Sequence, residues 1–268
     1  MTVMVGGEIG GAQGAPGAGF EGDSAEPQLV AVVVSVVIPA RNESRNIGWV
    51  LRRMPDLVDE VVLVDGHSND DTVAVAQSIR PDLVIVSDNG RGKGEAMRAG
   101  AAAARGEFIV MMDADGSMDP AEMNRFIEPL ANGYDFVKGS RFLPPGGTGD
   151  MTPLRKFGHR VLLMTANVLF GGRWTDLCYG YCAFNRSGYE ALALDADGFE
   201  IETQMAVRSA KLALRTVEIS SFEFPRRWGN SQLNTFRDGF RVLWTILGER
   251  VSGPVAAPRA DLSETGGN

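Results

Sequence analysis

Short runs of β-branched residues alternate with helix-patterned segments over residues 32–138, and this rhythm fixes the fold class. Val32 to Ile38 is almost unbroken Val and Ile, the pattern of a strand covered on both faces. Asn46 to Met54 follows with helical spacing, and Asn42 or Ser44 is available to cap it. Val61 to Val64, Leu83 to Val86, Phe108 to Met112 and Phe136 to Lys138 repeat the strand signal. Thr72 to Ile79, Gly94 to Ala104 and Pro120 to Leu130 repeat the helical one, with Asp70 and Asp71 just ahead of the first. Strands joined through helices by short connections run parallel. The expectation is therefore an α/β domain: a Rossmann-like, mostly parallel sheet with helices on both faces.

The pattern loosens after residue 143. Gly146 to Gly149 reads as a loop, and Val161 to Phe170 as an apolar helix approached by Arg155, Lys156, His159 and Arg160. Phe222 to Phe224 reads as a strand and Phe236 to Leu247 as an amphipathic helix. In that helix Phe236, Phe240, Leu243, Trp244 and Leu247 fall at helical spacing, first of all a core-packing stripe. Arg237, Arg241 and Arg250 leave an interfacial helix as the alternative. Residues 1–29 and 253–268 are rich in Gly, Ala and polar residues and are expected to be disordered tails, leaving 30–252 as the folded unit.

Composition removes several function classes. With 44% hydrophobic residues a sizeable core is possible. The net charge of -8, from 34 Asp+Glu against 26 Lys+Arg, argues against a nucleic-acid partner, which demands a positive field. The two cysteines, Cys178 and Cys182, are too few for a disulfide framework and read as structural thiols. His67 and His159 are the only histidines, so a His-rich zinc centre is not expected, and His159 reads as a surface or supporting group. No stretch reaches the roughly 18 apolar residues that span a bilayer. Residues 1–30 show neither a basic nor an apolar signal region, and a cytoplasmic location is the expectation.

Ligands of open α/β sheets collect beyond the carboxyl ends of the strands. Here those ends read Pro39-Ala-Arg-Asn-Glu43, Asp65-Gly-His-Ser-Asn-Asp70, Asp88-Asn-Gly-Arg-Gly-Lys-Gly94, Asp113-Ala-Asp115 and Gly139-Ser-Arg141. Polar turns end most strands, but acids and bases recur at every one of these. In an extended segment Asp113 and Asp115 point the same way, which makes a hard-oxygen site for Mg²⁺ or Mn²⁺ completed by substrate phosphates. Ser117 could supply a further oxygen. Glycines around Lys93 and Gly94 would let backbone approach an anionic ligand at a helix start, the bland alternative being a plain glycine turn. Arg141, Arg155, Lys156, Arg226 and Arg227 gather positive charge in an acidic chain. Singly each is an ordinary surface residue; together they suit a polyanionic substrate.

These five strand-end motifs, in this order, resemble the family 2 glycosyltransferases of GT-A fold, most of all dolichol-phosphate mannose synthase and related polyprenyl-phosphate hexosyltransferases. Residues 33–245 take part, most strongly in the first 110. The resemblance implies a nucleotide-binding half at 30–143 and an acceptor half at 144–252. It implies that Pro39, Ala40, Arg41 and Glu43 line the nucleotide pocket and that Val64 and Asp65 flank the base. Asp113, Ala114 and Asp115 would meet the donor, with Asp113, Asp115 and Ser117 around the metal. Arg141 would contact phosphate, and Asp115 and Arg141 are the catalytic candidates. Arg226-Arg-Trp-Gly-Asn-Ser-Gln-Leu233 is similar to the family's late R-x-x-G-x-S-K-L, which makes Arg226 a donor-phosphate ligand. Two departures stand out: Asp65-Gly66 where the family often has Asp-Asp, and Gln232 where it has Lys.

The implied reaction is inverting transfer of a hexose from a GDP- or UDP-linked donor to polyprenyl phosphate, with Arg155 and Lys156 positioning the acceptor and peripheral membrane contact as a consequence. A hydroxyl acceptor would instead require a base, for which Asp176, Glu200 and Glu202 are candidates. A catalytically idle sugar-nucleotide-binding subunit is the third reading, and the retained D-x-D speaks against it.

Overall fold

The structure is a computed structural model and describes residues 32–149, 151–229 and 233–255. The tails expected at 1–29 and through most of 253–268 lie outside the described residues. Seven strands form one sheet. In chain order β1 (Val34–Ala40), α1 (Ile47–Arg52), β2 (Glu60–Asp65), α2 (Thr72–Ile79), β3 (Val84–Ser87), α3 (Lys93–Ala103) and β4 (Phe108–Met111) make up the regular half. A 3-10 turn at Pro120–Glu122 leads into α4 (Met123–Ala131), then β5 (Phe136–Ser140), the short β6 (Gly147–Thr148) and α5 (Pro153–Phe170). The chain continues through β7 (Cys182–Asn185), α6 (Arg186–Ala191), α7 (Ile201–Lys211), β8 (Thr216–Ser220), β9 (Phe222–Glu223) and α8 (Thr235–Val251).

The sheet order is β3-β2-β1-β4-β7-β5-β8, and β7 alone runs against its neighbours. The mostly parallel sheet of the sequence reading is present. Period-two alternation divides the strand side chains between two cores. Val34, Val36 and Ile38 of β1 face α1, α2 and α4, whereas Val37 faces α3 and the helices of the second half. All four are fully buried. At roughly 25 cal/mol per Å² of apolar area, strands buried on both faces are the main favourable contribution to folding.

Several local expectations shift. The cap of α1 is neither Asn42 nor Ser44. Asn42 sits at positive φ and its side chain accepts from the Asn69 N–H, while the Ser44 N–H donates to Asp70; both residues tie the β1 loop to the β2 loop. Part of the Gly146–Gly149 loop is the strand β6, which pairs with β9. The apolar helix expected at Val161 begins at Pro153, because Thr152 caps it by accepting from the Arg155 N–H. β7, α6, α7 and β8 carry no expectation from sequence. The stripe expected to pack α8 into the core instead faces outward at Phe236, Phe240 and Trp244, and Val242 and Ile246 take the inner side.

Gly100 lets α3 lie directly on β1 and β2: a Cβ there would collide with the side chains of Val37 and Val64. Gly158 of α5 has open space around its missing Cβ. Gly100→Val should therefore lower stability by about 1–3 kcal/mol or more, and Gly158→Ala should raise it by about 0.5–1 kcal/mol. Denaturant midpoints of the two variants against the parent chain check both signs.

Candidate active site

β1, β2 and β4 run side by side and end at one rim, so the loops after them converge. Asp113 and Asp115 follow β4 directly. Lys93 opens α3 and reaches Asp113 at 2.6 Å and Glu202 of α7 at 2.8 Å. Gly180 makes room for this bridge, since a Cβ there would lie 2.7 Å from both Lys93 Nζ and Glu202 Oε1. Arg226 stands in the strap after β9. It lies 3.2 Å from Asp115 Oδ2 and also pairs with Glu43 from the β1 loop. Asn46 steadies Glu43 by donating to its carboxylate at 2.6 Å. The strap is fastened by main chain: the Arg227 N–H donates to the Asp115 carbonyl and the Phe224 N–H to the Ser117 carbonyl.

The rim thus gathers Glu43, Asp113, Asp115 and Glu202 against two cations, Lys93 and Arg226. Burial pushes the Asp113 carboxyl up to about 6, with the Asp115 and Glu202 charges adding to the rise and Lys93 opposing it. Burial likewise raises Glu43 above its ordinary value, against the pull of Asn46 and Arg226. Asp113 and Glu202 overcome burial to hold the Lys93 ammonium well above its usual pKa. An acidic surplus on hard oxygens fits a divalent cation such as Mg²⁺ or Mn²⁺. Among the described residues no group of three or more His, Cys, Asp or Glu side chains makes an all-protein cage. The remaining ligands would be donor phosphates, the usual Mg²⁺ arrangement. Ser117 is buried beside Asp115, which accepts from its N–H at 2.9 Å.

The structure brings together Glu43, Lys93, Asp113, Asp115, Ser117 and Arg226 from the sequence-derived set. Pro39, Ala40 and Asp65 lie at the same rim, and Arg41 is exposed beside them. Ala114 is buried between the two aspartates. Val64 is fully buried with its side chain in the core, so only its backbone is available to a base. The glycine reading is corrected. A Cβ on Gly92 or Gly94 would meet the backbone of the Ala196–Gly198 segment, and the first amides of α3 donate to the Asp197 carbonyl. These glycines admit another piece of the same chain, and that helix start is already capped.

Arg141 also differs from its expected role. It is buried and forks onto Asp176 at 2.7 and 2.9 Å, with Glu223 at 3.1 Å on its third nitrogen. His159 is buried rather than at the surface, its Nε2 3.0 Å from Asp176. Although burial acts the other way, Arg141, His159 and Lys138 hold the Asp176 carboxyl far below the carboxylate range. Asp176 therefore remains an ion-pair partner and makes a poor proton acceptor. Glu200 is different: its Oε2 is buried without a hydrogen-bond partner, and its other oxygen accepts from the Gly198 N–H. Burial raises the thiols of Cys178 to about 11 and Cys182 to about 12, as suits structural cysteines. Arg155 and Lys156 lie in the first turn of α5, and Gln232 falls outside the described residues. Asn46, Lys138 and Glu223 went unread in the sequence because nothing local distinguishes a buried charge or amide from an exposed one.

The sequence profile described as Glycosyl transferase family 2 matches residues 35–193, which takes in the β1, β2, α3, β4 and β5 loops. The chain belongs to glycosyl transferase family 2. It is 31% identical to polyprenol monophosphomannose synthase of Mycolicibacterium smegmatis over 90% of this chain and 98% of that protein. It is 30% identical to undecaprenyl-phosphate mannosyltransferase of Micrococcus luteus over 81% and 98% of the two chains. Glycosyltransferase AglJ of Haloferax volcanii is 33% identical over 77% of this chain and 68% of its own length. Among solved structures, glucosyl-3-phosphoglycerate synthase from Mycobacterium tuberculosis, in complex with Mn²⁺, UDP and glucosyl-3-phosphoglycerate, superposes with a TM-score of 0.64 at 24% identity, over 81% of this chain and 80% of that one. That likeness places the fold among glycosyltransferases of GT-A type. The enzyme is a glycosyltransferase.

Within this family 2 domain the Arg141–Asp176 pair is a structural joint. Asp176→Ala leaves a buried guanidinium with only Glu223 and should cost about 3–5 kcal/mol. Because the folded carboxyl titrates far below its unfolded value, the contribution is complete above about pH 4 and is lost as the pH falls below that. Urea titrations of parent and variant at neutral and acid pH should show the difference shrinking with acidification.

Proposed function

We propose that this glycosyltransferase moves a hexose, with inversion, from a GDP- or UDP-linked donor to polyprenyl phosphate in a metal-dependent reaction. The observation that carries the reading is the pair Asp113 and Asp115 at the strand rim, each with a cation, Lys93 or Arg226, on its oxygens. The two full-length relatives named for polyprenyl-phosphate mannosyl transfer point to the same acceptor class.

When bound on Asp113 and Asp115, the ion would supply positive charge to offset the charge growing on the leaving nucleoside diphosphate. The rest falls to the chain. Glu43 and the β1 loop hold the nucleotide side of the donor. Arg226 exchanges Asp115 for the donor phosphates, and the strap that carries it stays anchored through Arg227 and Phe224. Lys93 stays between Glu202 and the donor. The acceptor phosphate oxygen attacks the anomeric carbon as the bond from that carbon to the diphosphate oxygen breaks, and the nucleoside diphosphate departs. A phosphate monoester is already anionic at neutral pH, so no general base is needed. Arg155 and Lys156 on the first turn of α5 orient it, and Arg141 supports the site by fixing Asp176 and Glu223.

One observation favours a second reading, a hydroxyl acceptor: the partnerless buried oxygen of Glu200, in the segment that packs on Lys93 and Gly94, could accept a hydroxyl proton.

A panel of GDP- and UDP-hexoses with Mg²⁺ or Mn²⁺, assayed against polyprenyl phosphate and against soluble hydroxyl acceptors, separates the readings. Expected are a glycosyl phosphate product, a loss of about a hundredfold or more in kcat for Asp115→Asn, and a loss of about a hundredfold for Arg226→Ala. Full activity in Asp115→Asn would sink the metal-site assignment. Transfer only to hydroxyls, abolished by Glu200→Gln, would replace the lipid-phosphate reading by the second.

A further inference from the structure

Arg226 and Arg227 are neighbours in the strap, yet their side chains part at the rim. Arg226 goes to Glu43 and Asp115. Arg227 turns to α1. Its guanidinium lies over the Trp49 indole at 4.6 Å. Its stem runs across Gly116, where a Cβ would lie 2.6 Å from the Arg227 Cδ. Gly116 also sits at a φ of +74°, which favours glycine. Among the described residues no carboxylate pairs with Arg227, so the indole face is its counterpart. The Arg53 guanidinium lies over the same indole at 4.9 Å and is held by Asp119 at 3.3 Å. Next along the strap, Trp228 lies under the Arg45 guanidinium at 4.9 Å.

Helix α1 gives up its own cap for this contact. Asn46 stands at the N-cap, where an Asn side chain ordinarily accepts from an amide of the first turn. It makes no such bond. Its Nδ2 donates instead to Glu43 at 2.6 Å and to the Trp228 carbonyl at 3.0 Å. Its Oδ1 is buried and has no hydrogen-bond partner among the described residues. The Trp228 carbonyl also accepts from Arg226 Nε, at 2.7 Å. One amide of α1 thus fixes both the acid that Arg226 meets and the main chain that carries Arg226. A missing cap and an unpaired buried oxygen each cost stability, and folds carry such costs where a position matters for function. Apolar burial does not explain where the strap lies. Phe224 is 45% exposed and Trp228 53%, and a cleft of about 620 Å³ opens beside them, lined also by Trp49, Arg53 and Asp119.

We infer that Asn46 and Trp49, three residues apart at the start of α1, are positioning residues that clamp the strap and so set Arg226 over Glu43 and Asp115. The link from Trp49 to the rim acids runs through Arg227 and the strap. The consequence for donor binding rests on the role proposed above for Arg226; the clamp itself does not.

The test is titration calorimetry of UDP and of GDP, each with Mn²⁺, on the full chain, together with the rate at which trypsin cuts the strap at Arg226 and Arg227. Trp49→Leu keeps apolar volume against the core and removes the indole face. It should bind the nucleotide about fivefold more weakly, the size of one exposed cation–π contact, and Trp49→Phe should restore binding to within about twofold of the parent. Trypsin should cut the strap of Trp49→Leu faster than that of the parent. Arg226→Ala should bind about tenfold more weakly or worse, as for a lost hydrogen bond to a charged group. Adding Trp49→Leu to Arg226→Ala should change affinity by no more than about twofold, because a residue that acts through Arg226 loses its effect with it. Arg227→Met keeps the stem and removes the guanidinium; it should repeat both results, and it stands as an independent variant should Trp49→Leu fail to fold. Parent-like affinity with parent-like cutting in Trp49→Leu would overturn the inference. So would the full loss persisting in the Arg226→Ala background. Parent-like affinity in Arg226→Ala, with the strap of Trp49→Leu still cut faster, would remove the donor role of Arg226 and leave the clamp standing.

Discussion

Negative charge concentrated at the carboxyl rim of the sheet is what the site is built around. Parallel strands end together, and the loops after β1 and β4 each deliver carboxylates to the same few ångströms, with Glu202 arriving from α7. Carboxylates this close, partly withdrawn from water, repel one another and resist ionisation, as the raised Asp113 shows. Lys93 and Arg226 relieve part of that cost by bridging acids from different loops. The same cations bind the strap, the α3 loop and α7 to the rim. A divalent ion with a diphosphate could take over these oxygens because the chain has already assembled charge there that it only partly neutralises itself.

The second buried ionic assembly has a different purpose. Arg141, Asp176 and His159 are almost removed from solvent, and Arg141 spends its guanidinium on Asp176 and the half-buried Glu223. They join the end of β5 to α5, to the loop before β7 and to β9. A charge network of this kind contributes little net stability compared with a packed apolar core, but breaking one member leaves the others stranded.

Much of the fold was legible because strand burial on both faces produces continuous β-branched runs, which stand out in any sequence. Thr72–Ile79 coincides with α2, and the four strand signals from Val32 to Met112 fall on β1 to β4. β8 was not legible: four of its five residues are only half-buried, and Thr216 to Ser220 mixes Thr, Glu and Ser among its apolar residues, so neither a continuous run nor a clean alternation appears. The D-x-D and the late Arg226 were readable as motifs. The meeting of Lys93 with Asp113 and Glu202 was not, since the three are separated by up to 109 residues and nothing local encodes the encounter. The α8 stripe shows the limit in another way. Periodicity gives the angle of the apolar face and not its direction, and here the inner face is served by Val242 and Ile246 with two acids neutralised by neighbours.

By itself the sequence determined the sheet class, the order of strands and helices in the first half and the chemical character of each strand end, because hydrophobic period and residue type are local properties. Only the tertiary structure decided which charges face one another: that Arg141 is consumed by Asp176, that the glycines before α3 admit Ala196–Gly198, and that α5 and α8 turn their aromatic side chains outward. Those outcomes depend on burial and on distances between residues remote in the chain, and a linear pattern carries neither.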